Sequence, residues 1–322
     1  MAKMTIVQAV TSAMRNELQR DKSVMVLGED VGINGGVFRA TEGLQKEFGA
    51  DRVVDTPLSE LGIVGSAFGL AVNGMKPIAE IQFSGFMYGP FDQLYSHIAR
   101  IRTRSRGRFS APLVVRTPFG TGIRALDLHC ESNESIFAHT TGLKMIIPSN
   151  PYDAKGLLIS AIRDPDPVIF YEPMRVYRAI KEEVPEKEYT VPIGKAEIKQ
   201  EGSDLTVISY GAMMKDVKAA LEKSDYSAEI IDLRSIVPLD TETIINSIKK
   251  TGRCIIVHEA PKTCGFAAEI IARINEKCFF NLEAPIERVT GPDTMIPFAK
   301  LENYYLPSEK RILKAVDKVM SQ

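Results

Sequence analysis

Short apolar runs alternating with helix-length amphipathic stretches place the strongest limit on how this chain can fold. Residues 24–27, 53–55, 77–82, 113–116, 145–148 and 168–171 each have the length and character of a buried strand. Between them, helices are expected near 5–20, 60–73, 86–104 and 151–162. Parallel strands need a long crossover, usually a helix, so this alternation predicts an α/β fold on a mostly parallel sheet. The polar stretch 181–188, Lys-Glu-Glu-Val-Pro-Glu-Lys-Glu, interrupts the pattern and reads as a linker between domains at 1–185 and 186–322. Strands then resume at 205–209, 229–233, 254–258 and 286–289, with helices near 213–223, 240–250, 265–276 and 307–320.

Composition narrows the function classes. The 322 residues carry 40 Lys+Arg against 41 Asp+Glu, a net charge of -1 that argues against a general nucleic-acid binder. Apolar runs break well short of about 18 residues, so no membrane span is expected. The opening Met-Ala-Lys-Met-Thr-Ile-Val leads straight into a helical pattern without a signal-peptide apolar region, and a cytoplasmic location is expected. Cys130, Cys254, Cys264 and Cys278 are too far apart for a CxxC pair and read as reduced thiols.

Four segments could carry chemistry. Gly120-Thr-Gly-Ile-Arg-Ala125 formally fits a dinucleotide fingerprint, but Pro118 and Phe119 intervene and no helix pattern follows, so it reads as a glycine-rich loop. In Asp55-Thr-Pro-Leu-Ser-Glu60, Asp55 ends a strand, Pro57 breaks it and Ser59 caps a helix starting at Glu60. Gly62, Gly65 and Gly69 recur on that helix, each lowering propensity by about 1 kcal/mol, which implies a close approach to that face. On spacing alone Glu60 reads more readily as only a first-turn carboxylate facing the helix dipole. His129 follows the glycine-rich turn and has the acid–base range catalysis uses, whereas His97, His139 and His258 read as satisfied or surface groups. Asp164-Pro-Asp166-Pro reads as a helix stop and turn that could also hold a hard cation.

Several strings together resemble one family along the whole chain from about residue 4. They include Leu27-Gly-Glu-Asp-Val31, Gly35-Gly-Val-Phe38, Asp55–Glu60, Ile81-Gln-Phe83, Ile231-Asp-Leu-Arg-Ser-Ile-Val-Pro238 and Leu282-Glu-Ala-Pro285. The resemblance is to the beta subunit of the thiamine-diphosphate-dependent component of 2-oxo acid dehydrogenase complexes, which is transketolase-like. It implies an N-terminal parallel-sheet domain that binds the cofactor's pyrimidine and a C-terminal transketolase-like α/β domain. It also implies decarboxylation of a 2-oxo acid, pyruvate or branched-chain, and acylation of a lipoyl group on an acyltransferase core. An alpha subunit would hold the diphosphate and magnesium and join a heterotetramer of two alpha and two beta chains. This chain has no Gly-Asp-Gly, and its nearest string, Gly28-Glu-Asp30, lacks the second glycine.

Carried over residue by residue, the resemblance gives Glu60 the aminopyrimidine ring nitrogen and His129 a place near the reacting carbon. Leu58, Gln82 and Phe86 would line the pyrimidine pocket, Phe86 standing where some relatives have tyrosine. Leu113, Ala161, Ile162, Asp164 and Asp166 match a structural potassium site built largely of main-chain oxygens. Gln82-Phe83 and His258-Glu-Ala-Pro261 lean toward branched-chain or broad substrates, while residues 35–45 resemble bacterial pyruvate enzymes. The rival readings are a two-chain transketolase-like synthase and a non-catalytic assembly subunit.

Overall fold

The structure, a computed structural model, describes residues 1–125 and 127–322. The first part runs β1 (Ala2–Met4), α1 (Ile6–Arg20), β2 (Val24–Gly28), α2 (Leu44–Phe48), β3 (Val53–Asp55), α3 (Glu60–Val72) and β4 (Lys76–Glu80). It continues with α4 (Ile101–Arg104), β5 (Val114–Phe119), α5 (Glu134–Ala138), β6 (Lys144–Ile146), α6 (Pro151–Arg163), β7 (Val168–Pro173) and β8 (Glu182–Val184). The second part runs β9 (Glu197–Gln200), β10 (Leu205–Ser209), α7 (Met213–Leu221), β11 (Ala228–Asp232), β12 (Ser235–Val237) and α8 (Thr241–Thr251). It closes with β13 (Cys254–Pro261), α9 (Ala267–Cys278), β14 (Glu287–Gly291), α10 (Glu302–Tyr305) and α11 (Glu309–Met320).

Two large sheets and a two-stranded β1–β8 pair organise these elements, and the α/β expectation holds. The seven-stranded sheet has the order β12-β6-β7-β5-β4-β2-β3, parallel throughout except at β12. The five-stranded sheet has the order β14-β13-β10-β11-β9, parallel except at β9. Strands buried on both faces read as continuous apolar runs, which is why they were visible in the sequence. Helix α1 buries Ile6, Val10, Met14 and Leu18 at helical spacing against α6 and the first sheet, each side chain stabilising by roughly 1.5–3 kcal/mol. On the sheet's other face one continuous core runs from Ile63 and Ile81 to Ile244 and Ile270, so both sheets share it.

Three expectations change. The single helix near 86–104 is a string of short turns, 3-10 at Ser84–Tyr88, π at Gln93–His97 and 3-10 at Ile98–Arg100, ending in α4. Pro90 removes a backbone donor within that stretch and interrupts the ladder. The stretch 181–188 is not a free linker, because β8 pairs antiparallel with β1. The Lys155 ammonium also donates to the carbonyls of Pro185 and Glu186 at 2.7 and 2.8 Å. His258, expected to be satisfied or at the surface, is fully buried with neither ring nitrogen bonded to protein, stacked at 6.1 Å on Tyr210. Burial pushes that imidazole down to about 4. The four cysteines are free thiols. Among the described residues, no helix is long and apolar enough to cross a membrane.

Candidate cofactor site

The carboxyl ends of β2, β3 and β4 form the rim where open α/β sheets bind ligands. Asp55 ends β3, and the Thr56 N–H donates to the Gly28 carbonyl at 3.0 Å. The chain then turns into α3, where the Ser59 hydroxyl accepts from the Gly62 N–H at 3.2 Å. Glu60 is therefore the first helical residue, as expected, and it is partly exposed. Beside it Leu58 is 71% exposed and Leu61 50% exposed, unusual for leucines in a finished site.

The other wall comes from the segment after β4. Gln82 lies two residues past that strand and is half-buried. Phe83, Phe86 and His129 form a three-ring cluster, with His129 edge-on to Phe83 at 4.4 Å and to Phe86 at 5.1 Å. His129 Nδ1 is buried without a hydrogen-bond partner. A Cβ on Gly85 would sit 2.1 Å from the Leu128 carbonyl oxygen, so only glycine lets the Ser84–Tyr88 turn pack on the His129 segment. The next glycine, Gly89, would place its Cβ 3.9 Å from the Glu60 Cβ. Glu60 and His129, 69 positions apart in sequence by subtraction, thus border one turn. Phe83 was missed as a ring partner of His129, although it closes the string Ile81-Gln-Phe83.

These groups fit the pyrimidine half of thiamine diphosphate and not its diphosphate. A carboxyl, two apolar walls and an unpartnered imidazole nitrogen suit a flat aminated ring. The acids nearby repel phosphate. The Glu29 carboxyl is held above its usual range by burial and then by the charges of Asp30 and Glu60.

The turn after α6 carries Asp164 and Asp166, and the start of β7 links it to Leu113. The Leu113 carbonyl accepts from the Val168 N–H at 3.0 Å and the Ala161 carbonyl from the Asp164 N–H at 3.2 Å, each keeping one lone pair. The carboxylates are already engaged. Both Asp164 oxygens accept from the Lys144 ammonium at 2.7 Å, and Asp166 accepts from Arg102 at 2.6 Å. Main-chain oxygens with a free lone pair border this turn, while its side-chain charge is largely spent on Lys144 and Arg102. Among the described residues, no three His, Cys, Asp or Glu side chains cluster as a metal site.

Comparison with known proteins follows this geometry. Residues 2–179 match the transketolase pyrimidine binding domain, and residues 194–312 match the transketolase C-terminal domain. The chain is 55% identical over 323 residues to the pyruvate dehydrogenase E1 component subunit beta of Bacillus subtilis (strain 168), covering 99% of each. It belongs to the beta-subunit family of transketolase-like 2-oxo acid dehydrogenases. The corresponding subunit of Staphylococcus epidermidis is 54% identical over 317 residues, 98% of each chain. Among solved structures, a split-gene transketolase described as an inactive beta4 tetramer superimposes with a TM-score of 0.80 over 99% of each chain. At 20% identity that likeness speaks for the fold. Membership in this beta-subunit family implies thiamine diphosphate as the cofactor.

Proposed function

We propose that this beta subunit supplies the pyrimidine half of a thiamine diphosphate site, with pyruvate as the preferred 2-oxo acid. The observation that carries the reading is Glu60 at the head of α3 facing the same turn that holds the Phe83–Phe86–His129 cluster. The cofactor supplies the carbon nucleophile and electron sink for decarboxylation. Glu60 would hold a proton at the position of the ring nitrogen, and Leu58, Gln82 and Phe86 would line the ring's pocket. The unpartnered His129 nitrogen moves a proton near the reacting carbon or orients the lipoyl acceptor. An alpha subunit in a heterotetramer with two beta chains contributes the diphosphate and magnesium site. The exposed leucines at Glu60 are the surface it would cover. A boundary near residue 185, a cytoplasmic location and a lipoyl-bearing acyltransferase core as acceptor belong to the same reading.

The test is single-turnover decarboxylation by the reconstituted alpha–beta pair, with a panel of straight and branched 2-oxo acids. Pyruvate is expected to react fastest, followed by acylation of a lipoyl domain. Faster branched-chain turnover would move the substrate assignment. Sugar-phosphate turnover without lipoyl acylation would establish the synthase reading instead. A normal rate from this chain alone would remove the two-subunit site.

Potassium at the Leu113, Ala161 and Ile162 carbonyls, bordered by Asp164 and Asp166, completes the proposal. In an ion-depleted preparation the melting temperature should rise on adding potassium. Asp164→Ala should lower it and weaken that rise, since the Lys144 partner is lost as well. Equal melting temperatures with and without potassium would remove the ion from the assignment.

A further inference from the structure

Thr121, Gly122 and Arg124, ahead of His129 in the chain, are held from the other domain. Gly120, Gly122 and Arg124 have φ of +79°, +118° and +54°. Such left-handed residues turn successive backbone N–H groups to one side and form a concavity suited to an anion. Two buried carboxyl groups fill it. Glu259, on β13, accepts from the Thr121 N–H at 3.0 Å and the Thr121 hydroxyl at 2.8 Å, both on Oε2. Glu302, at the start of α10, accepts from the Gly122 N–H on Oε1 at 3.0 Å and the Arg124 N–H on Oε2 at 3.1 Å. Close approach of Glu259 requires glycine at 120, where a Cβ would stand 2.5 Å from its Oε1. Beyond His129, the Glu131 carbonyl accepts from the Ser84 hydroxyl at 2.6 Å and from the Gly120 N–H at 3.2 Å. The Cys130 thiol is 4.0 Å from Glu302 Oε2.

We propose that Glu302 and Glu259 are positioning residues, through which the second domain sets where the His129 imidazole stands. His129 lies between two anchors, one made by these carboxyl groups and one by Ser84. The inference rests on the assignment of His129 to the reacting site. The two glutamates differ in a way that makes the idea testable. Both oxygens of Glu302 accept, each from a different N–H, so an amide reproduces only one bond. Only one oxygen of Glu259 accepts from Thr121, and an amide keeps it.

In the reconstituted alpha–beta enzyme, Glu302→Gln is expected to lower turnover by about 10–100-fold, the range for a displaced reacting group. Glu259→Gln should lower it less. In a His129→Ala background, Glu302→Gln should change turnover by no more than about twofold, since it acts through the imidazole. A second readout needs no turnover. With carbon-labelled histidine, the isolated beta chain gives signals from four residues, His97, His129, His139 and His258. Glu302→Gln should move the His129 signal and leave His97 and His139 in place. Additive losses in the double variant, or an unmoved His129 signal, would overturn the proposal. If the enzyme decarboxylates no 2-oxo acid, the functional reading fails while the histidine signals still decide this one. Should Glu302→Gln not fold, Glu302→Asp, which keeps both oxygens one methylene short, is put through the same measurements.

Discussion

Glu60 stands at the head of α3, partly open to solvent, because Pro57 ends the preceding extension and Ser59 caps the helix. A carboxyl can take up and give back a proton, which an amide of the same shape cannot. Glu60→Gln in the assembled enzyme should keep cofactor affinity within about tenfold while turnover falls by about 10²–10⁴, the range for lost acid–base catalysis. Titration calorimetry beside steady-state assays separates the two effects, and near-normal turnover would show the wrong residue had been chosen. A second carboxyl, Glu134, is fully buried with Oε1 on the Tyr210 hydroxyl at 2.7 Å and Oε2 unpartnered. Burial pushes it from 4.5 up to about 7. The unfolded chain releases this proton at lower pH than the folded one. Stability from this group therefore falls as pH rises through the window of about 4.5 to 7. Glu134→Gln carries no such penalty, so its advantage over wild type should grow by a few kcal/mol between pH 4.5 and 8. Urea unfolding at both pH values measures it, and parallel pH profiles would refute the assignment. At this scale the sequence was legible where chemistry is local, as in the 55–60 turn. Glu259 and Glu302 left no local sign, because their acceptor roles depend on N–H groups 138 to 180 positions away.

Helix α3 carries Gly62, Gly65 and Gly69, and within this chain little approaches that stripe. A Cβ on Gly69 would meet nothing within 4 Å, and on Gly65 only the Gln93 amide at 3.7 Å. Among the described residues, none supplies the close neighbour that these glycines led us to expect. Gly69→Ala should stabilise the isolated chain by about 1 kcal/mol through helix propensity, raising its melting temperature by about 2 °C. The same change should weaken assembly with an alpha subunit, seen as dissociation at higher protein concentration in sedimentation. A stabilised chain that assembles normally would place the partner elsewhere. Elements with strong periodicity or doubly buried strands matched expectation closely, including Leu205–Ser209 and Val24–Gly28. Short pieces such as α2, α5 and β12 were invisible, because so few residues, broken by polar ones, show neither a period nor a continuous apolar run. The stretch 86–104 misled because its apolar spacing is helical while Pro90 and the packing of Gly85 on Leu128 divide its backbone.

The molecule is stitched together by β12, which comes from the second part of the chain yet pairs with β6 at the edge of the first sheet. Sequence alternation alone suggested two units and gave no hint of this exchange. Without the second part of the chain the first sheet ends in an open edge at β6, and the shared core loses Ile236, Ile244 and Ile270. A fragment of residues 1–185 should therefore aggregate or melt without cooperativity, and co-expression with 186–322 should restore a single soluble complex. Circular dichroism and size-exclusion chromatography decide it; a monomeric, cooperatively folding fragment would show the edge to be dispensable. The carboxylate that grips Gly122 and Arg124 has a consequence in time as well as in space. A ribosome adding about 5–20 residues per second presents Glu302 roughly 10–35 s after those turns emerge. Throughout that interval the nascent His129 segment lacks its Glu302 latch, so a truncated product of translation would be born without a competent reacting centre.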